Sequence, residues 1–324
     1  MELAQTIKAQ KIIQLNTTNH GISNQKERSK ILLRDYIGKF AETKGHSTAS
    51  NLRNLIYHLE RFKPDGDIEM GNIDKNYILD FIDYLDEAII EHTERNKGKK
   101  LSRNSQAMYI KCLKMALDEA VSDDIILANP ILAIKKKYIP KREKAPKREY
   151  LTEDELKRFA ETDFKNTLLK RAFMIGCLTG LRHCDIKQMR WRNVGVCRGG
   201  KPCICLIQEK TNEEVTIPLN DNIIKWLPSK GDSNENDLVF KGLITLGRTN
   251  EILPKWAEKA GINKHLTFHI SRHTFATLAI SNGIDLYTVS KLLGHQNITV
   301  TQIYADVLDS AKANAMDRLS KLKV

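Results

Sequence analysis

The sequence predicts a mainly α chain with a small β-hairpin sheet, an α+β protein of two domains. Three observations carry this. Between residues 28 and 135, apolar residues recur at i, i+3, i+4 and i+7 in four separate runs. Helix formers dominate, while aromatics are only 6% of the 324 residues. Strand-like composition is confined to a short stretch near 202–218. A hydrophobic content of 41% is enough for two real cores at this length.

Residues 1–27 are polar and weakly patterned and read as an N-terminal tail. The first domain, 28–135, is a helical bundle. Its first stripe is Ile31, Leu32, Tyr36, Ile37 and Phe40; its second is Leu52, Leu55, Ile56, Leu59 and Phe62. Pro64-Asp65-Gly66 breaks the chain. Ile78, Phe81, Ile82, Leu85 and Ile89 form the third stripe; Met108, Tyr109, Cys112, Leu113, Met115 and Ala116 form the fourth, to about Val121. These stripes are ordinary core. A basic linker, 136–149, follows. The run from Lys135 to Glu149 holds eight basic residues against two acids, and Pro140 and Pro146 favour an extended path.

The second domain covers 150–324. Thr152 and Glu155 have capping-box spacing. A helix from about Asn166 to Cys177 leads into Leu178-Thr179-Gly180-Leu181-Arg182. Pro202 to Ile207 and Val215 to Pro218 read as strands, joined through residues 209–213. Helices resume near Ile223 and between Arg248 and Ala260. Ser271 to Ile280 is helical, stopped by Asn282-Gly283, and Leu286, Val289, Leu292 and Leu293 mark another helix ended by Gly294. Beyond Tyr304, Leu308, Ala311, Ala315, Leu319 and Leu322 make one last stripe, suited to packing in cis or to docking on a second protomer.

Net charge is +12, with a sequence pI of about 9.3, which favours a polyanionic partner. No apolar run is long enough for a membrane span, and the N-terminus lacks the apolar region of a signal peptide. The expectation is a cytoplasmic protein with no membrane partner. The six cysteines form no disulfide pattern of an exported protein. Cys197, Cys203 and Cys205 cluster, but C-x5-C-x-C lacks paired C-x2-C spacing and a nearby His, so the reading is strand packing and no metal.

The stretch from Thr267 to Tyr304 concentrates the chemistry. His269 and Arg272 are three apart, so a helix projects them from one face. His295 falls just past a helix end, and Tyr304 lies nine residues further on. Such a set suits an anion site beside a hydroxyl nucleophile. At these residues, HISRHTFAT followed by LLGHQNITVTQIY resembles the second signature block of the tyrosine recombinase (phage integrase/Xer) family. Ser271 departs from the apolar residue usual there. LTGLRHCDIKQMRW, residues 178–191, resembles the first block.

The resemblance implies a helical core-binding domain at 28–135 and a catalytic domain beyond it, closing as a C-shaped clamp on DNA. It assigns Arg182 as the first catalytic arginine and Asp185 as an acid that orients arginine or histidine. His273 directly follows Arg272, so it points to a different helix face and reads as core or supporting hydrogen bonding. The hairpin 208–219 points to Lys210 as the catalytic lysine, with Lys201 in the preceding loop as the alternative. His183 and Cys184 read as packing or surface residues, and no signature supports Tyr287 as nucleophile. Arg182 and Arg272 would present planar forks of donors to the non-bridging oxygens of a phosphodiester, where charge grows in the transition state. His295, with His269, would add a hydrogen bond. Tyr304 would attack in line; its free pKa near 10 calls for a base, and His269 is the best candidate. Lys210 would protonate the departing 5′ oxygen. The implied product is a 3′-phosphotyrosyl link that conserves bond energy, so no cofactor is expected.

The implied partner is double-stranded DNA, bound by a homotetramer on paired sites, in association with the bacterial nucleoid. Lys135, Lys136, Lys137, Lys141 and Arg142 of the linker, with Arg103, Lys111 and Lys114 on the fourth helix, are the expected phosphate contacts. The 27-residue tail is shorter than the arm-binding domain of larger phage integrases. Two alternatives stand beside this reading: a type IB topoisomerase, which would use the same tyrosine chemistry but reseal the same strand, and a non-catalytic DNA-binding protein on a recombinase scaffold.

Overall fold

The computed structural model describes residues 27–91, 97–143 and 149–304. The tail before residue 27 and the stripe beyond Tyr304 lie outside them. The chain divides into two compact units, 1–145 and 146–324.

In the first unit, α1 (Leu33–Glu42), α2 (His46–Phe62), α3 (Lys75–Glu87) and α4 (Arg103–Ser122) pack around one core. Each helix buries most of the stripe its periodicity marks: Ile37, Leu52, Leu55, Ile78, Phe81, Leu85 and Leu113 are fully buried, whereas Leu32 and Ile89 are exposed, and Leu33, outside the expected stripe, is buried. The starts are set by local chemistry. Asp74 caps α3 by accepting from the Tyr77 N–H, and Ser102 caps α4 by accepting from Ser105. The run expected to be an extended linker does not leave this unit at 135. Tyr138 N–H closes a turn on the Lys135 carbonyl, Ile139 packs on the core, and Glu143 N–H donates to Asn104 on α4. A local turn and one apolar side chain are enough to hold a basic segment that composition alone reads as solvated.

The second unit begins with α5 (Glu153–Glu161), whose capping box at Thr152 and Glu155 has both hydrogen bonds formed. Then come α6 (Thr167–Thr179), α7 (His183–Gln188) and an antiparallel sheet in the order β1 (Val194–Val196), β2 (Pro202–Ile207), β3 (Glu214–Pro218). The two longer strands match the sequence reading; β1 does not appear in it, because three residues carry no periodicity. α8 (Asp221–Ile224), α9 (Leu246–Lys259), α10 (Phe268–Ser281) and α11 (Leu286–Leu292) complete the unit. α10 starts three residues earlier than the sequence suggests.

The core is built on α6 against α10. Phe173, Phe268, Phe159 and Trp256 are fully buried and in ring contact. The crossing is close because both helices carry small residues. A Cβ on Gly176 would lie 2.5 Å from Ser271 Oγ. The departure at Ser271 is therefore a packing feature: its hydroxyl donates to the Phe268 carbonyl and leaves room for Gly176.

The cysteine expectation needs correction. Cys197 and Cys203 form a disulfide, with Cα atoms 5.8 Å apart. Antiparallel pairing of Val196 with Pro202 brings the ends of a five-residue turn together, which spacing in the sequence does not reveal.

Candidate active site

Arg182 is placed by a sharp turn. Gly180 ends α6 with φ +72, a conformation that favours glycine, and a Cβ there would lie 2.6 Å from Phe275. The chain then enters α7 with Arg182 at its N-cap. Asp185, its side chain fully buried, accepts from the Arg182 N–H at 3.3 Å and lies 3.9 Å from the guanidinium. The other oxygen of Asp185 accepts from the Glu209 N–H at 3.0 Å. One carboxylate thus ties the arginine to the β2–β3 turn.

Gln208 does the same from the opposite side, and sequence reasoning missed it. Its side chain is fully buried. Its Oε1 accepts from Arg182 Nη1 and from Thr211 Oγ1 at 3.0 Å, while its Nε2 donates to the Leu293 carbonyl at 3.1 Å. A Cβ on Gly294 would lie 2.5 Å from Oε1, so the helix end must be glycine here for the amide to fit. The only signal in the sequence is a polar residue ending an apolar strand, which is common in loops.

Arg272 is 3% exposed. Its Nη1 donates to the Gly180 carbonyl at 2.8 Å and its Nη2 to the Leu293 carbonyl at 2.5 Å. These acceptors sit at the ends of α6 and α11, so two orphan carbonyls fix the fork. Burial, then the charge of Arg182, pushes this guanidinium down to about 9, and it stays charged at neutral pH.

His295 follows Gly294, which takes φ +62 to end α11. Its Nδ1 lies 2.8 Å from Thr301 Oγ1, a buried hydroxyl, so Nε2 is left for a ligand. Burial pushes the imidazole down to about 4, reinforced by Arg272, Arg182 and His269. His295 is neutral at physiological pH for this reason.

Tyr304 ends a pair of 3-10 turns, Ile298–Val300 and Gln302–Tyr304. Its ring is 5% exposed, in a small cluster with Ala276, Ala279, Ile280, Val289 and Leu293. Its hydroxyl is hydrogen-bonded to Nδ1 of His273 at 2.5 Å. The His273 ring also meets His269 edge-on, centroids 4.5 Å apart. His269 is exposed on the same helix. His273 directly follows Arg272 and so leaves the helix on a different face, but its spacing of four from His269 puts those two rings on one face.

Lys210 is exposed at the tip of the β2–β3 turn. Its neighbours are anchored: Glu209 to Asp185, and Thr211 to Gln208 and, through its carbonyl, to Gln296 Nε2 at 3.2 Å. The turn is therefore held against the segment that carries His295. Lys201 lies in the separate turn between β1 and β2. Cys184 is an inert thiol, pushed up to about 11 by burial and then by Asp185 and Glu209. His183 packs edge-on to Phe268 at 4.9 Å.

In the first unit, Arg103 lies 3.5 Å from Asp86 and Lys114 is 2.5 Å from Asp118. Lys111, Lys135, Lys136, Lys137, Lys141 and Arg142 are exposed. These exposed pairs contribute little to stability and leave the cations available to phosphate.

A buried Arg272, a half-buried Arg182, a neutral histidine and a tyrosyl hydroxyl thus share one neighbourhood, with Arg272 feeling the charge of Arg182. The chain matches the phage integrase family pattern over residues 149–311 and the phage integrase SAM-like domain over 32–142. It belongs to the phage integrase family, the tyrosine recombinases. Members of this family are enzymes that cleave and rejoin DNA strands. The sequence is 27% identical to tyrosine recombinase XerC of Serratia marcescens over 241 residues, 69% of this chain and 75% of that one. It is 29% identical to XerD of Staphylococcus epidermidis over 257 residues, 73% and 84% of the two chains. The fold resembles a lambda integrase dimer bound to a core site, with a TM-score of 0.63 and 19% identity over 85% of this chain and 95% of that one. It also resembles a Tn1549 transposon integrase bound to transposon end DNA, with a TM-score of 0.64 and 19% identity over 90% and 100%. Among the described residues no helix is long and apolar enough to cross a membrane.

Proposed function

We propose that this tyrosine recombinase cleaves one strand at a time with Tyr304, on paired DNA sites brought together by four copies of the chain. The observation that carries the reading is the convergence of Arg182, Arg272 and His295 around the end of α11, with Tyr304 on the same cluster. The two guanidinium forks hold the non-bridging oxygens, and neutral His295 donates from Nε2. The Tyr304 oxygen attacks phosphorus, its proton passing to the histidine pair His269 and His273. The bond from phosphorus to the 5′ oxygen breaks, and Lys210 supplies the proton to that oxygen. The 3′-phosphotyrosyl link is then attacked by a 5′ hydroxyl from the second duplex, which returns the tyrosine. Basic residues of the first unit, from Arg103 and Lys111 to Arg142, track the phosphates. Bacterial relatives and the integrase likeness support a role in the cytosol, on the chromosome or on a mobile element.

A nicked suicide substrate tests this. The wild-type chain is expected to accumulate a denaturant-stable adduct whose modified peptide contains Tyr304. Tyr304→Phe is expected to abolish the adduct while DNA affinity stays within about twofold, since one buried hydroxyl contributes little to a phosphate-dominated interface. Adduct formation by the Phe variant, or by Tyr287, would overturn the assignment. Relaxation of supercoils by single copies without paired sites would favour a type IB topoisomerase instead.

A further inference from the structure

Three cysteines meet at the β1–β2 end of the sheet, away from the hydrogen-bond network of the arginines. Cys203 and Cys205 are two apart on β2 and so project to one face. The turn 198–201 brings Cys197 back to them, closed by the Cys197 N–H donating to the Lys201 carbonyl at 2.9 Å. Gly199 and Gly200 take φ +103 and +76, which this reversal needs. The three sulfur atoms lie within 4.8 Å of one another. Cys205 Sγ is 3.6 Å from Cys203 Sγ and 3.8 Å from Cys197 Sγ.

Those separations have a chemical meaning. Zinc–thiolate bonds of about 2.3 Å in tetrahedral geometry set sulfurs about 3.8 Å apart. Two of the three edges already have that length, and the third is the Cys197–Cys203 disulfide. We propose that in its reduced form this cluster binds one thiophilic divalent cation of the zinc class through three thiolates, with solvent in the fourth position. A dithiol reductant supplies two electrons and two protons to the disulfide and is itself oxidised to a disulfide. The cation then displaces three thiol protons. The donor set is all sulfur, so magnesium and calcium are excluded. Arg198 and Lys201, both exposed on the same turn, offset the net negative charge of a divalent ion with three thiolates. Cys197 and Cys205 are half-buried, so solvent reaches the fourth position. The disulfide is the metal-free oxidised state of the same site.

The test uses the full chain, reduced with a dithiol, freed of reductant without oxygen, and titrated with Co²⁺. The expected result is one equivalent bound, with thiolate charge-transfer and tetrahedral absorption bands that Zn²⁺ bleaches. Cys197→Ser and Cys205→Ser are each expected to weaken binding by on the order of a hundredfold, as loss of one ligand of three. Cys112→Ser and Cys184→Ser should leave it unchanged. Zn²⁺ should also protect Cys197 and Cys205 of the unmutated chain from alkylation, read by peptide mass, a measurement that needs no variant to fold. An octahedral spectrum, equal binding by Cys197→Ser, or unprotected thiols would overturn the proposal.

Discussion

At the residue scale, the site is governed by which polar atoms are already taken. Gln208 uses its oxygen on Arg182 and its nitrogen on Leu293, so its loss would take one of two side-chain partners from the arginine and leave Arg272 alone on the Leu293 carbonyl. Gln208→Leu is expected to slow single-turnover cleavage by on the order of a hundredfold, with DNA affinity nearly unchanged, because misplacing a positioned group costs that much. Rapid-quench cleavage beside a gel-shift titration checks it. His295 makes a pH prediction. Its imidazole is pushed from 6.5 down to about 4 by burial and then by Arg272 and Arg182. Above 6.5 it is neutral in both folded and unfolded chains. As pH falls from 6.5 to about 4, the unfolded chain takes up a proton that the folded chain refuses, so stability is lost across that window. His295→Gln should remove roughly 1 kcal/mol of that acid-side loss, a figure kept small because the ring is half-exposed. Urea denaturation of both proteins at neutral pH and near pH 5 measures it.

At the element scale, the α6–α10 crossing decides whether Arg272 can reach the end of α6, two residues before Arg182. Arg272 on α10 reaches the Gly180 carbonyl at the end of α6. That reach depends on Gly176 against Ser271, where a Cβ would come within 2.5 Å of the hydroxyl. Gly176→Ala is expected to destabilise the chain by about 1–3 kcal/mol despite alanine's better helix propensity, because the backbones must separate. Adding Ser271→Gly should cost less than the two single changes summed, by about 1 kcal/mol or more. Thermal melts of the three variants form the cycle, and simple additivity would show that the helices do not meet through this pair. The β2–β3 turn is the second such element. It is pinned on both sides of Lys210, by Asp185 at Glu209 and by Gln296 at Thr211. A long flexible side chain thereby projects from a fixed base.

At the scale of the whole molecule, a net charge of +12 is divided between a helical unit and a catalytic unit. Affinity for duplex DNA should fall with salt at a slope of about −0.9 per phosphate contacted. Replacing Lys136 and Lys141 together by alanine should flatten that slope by about 2 without changing the preferred site, since such contacts carry no base information. Fluorescence anisotropy across a salt series reads this directly. An unchanged slope would mean that this segment, which turns back onto the first unit at Tyr138, holds its lysines away from the duplex.

The sequence by itself determined most of the helical stripes, the capped start at Thr152, the β2–β3 hairpin and the grouping of His269, Arg272, His295 and Tyr304 along one stretch. These are local patterns, readable because helix and strand periods and cap spacings are properties of neighbouring residues. Tertiary structure alone decided the rest. Gln208 meets Arg182 across 26 residues and Leu293 across 85, and Tyr304 meets His273 across 31. Cys197 meets Cys203 through strand pairing rather than spacing. Which buried donor finds which acceptor depends on where the chain folds back, and a polar residue's type does not encode its distant partner.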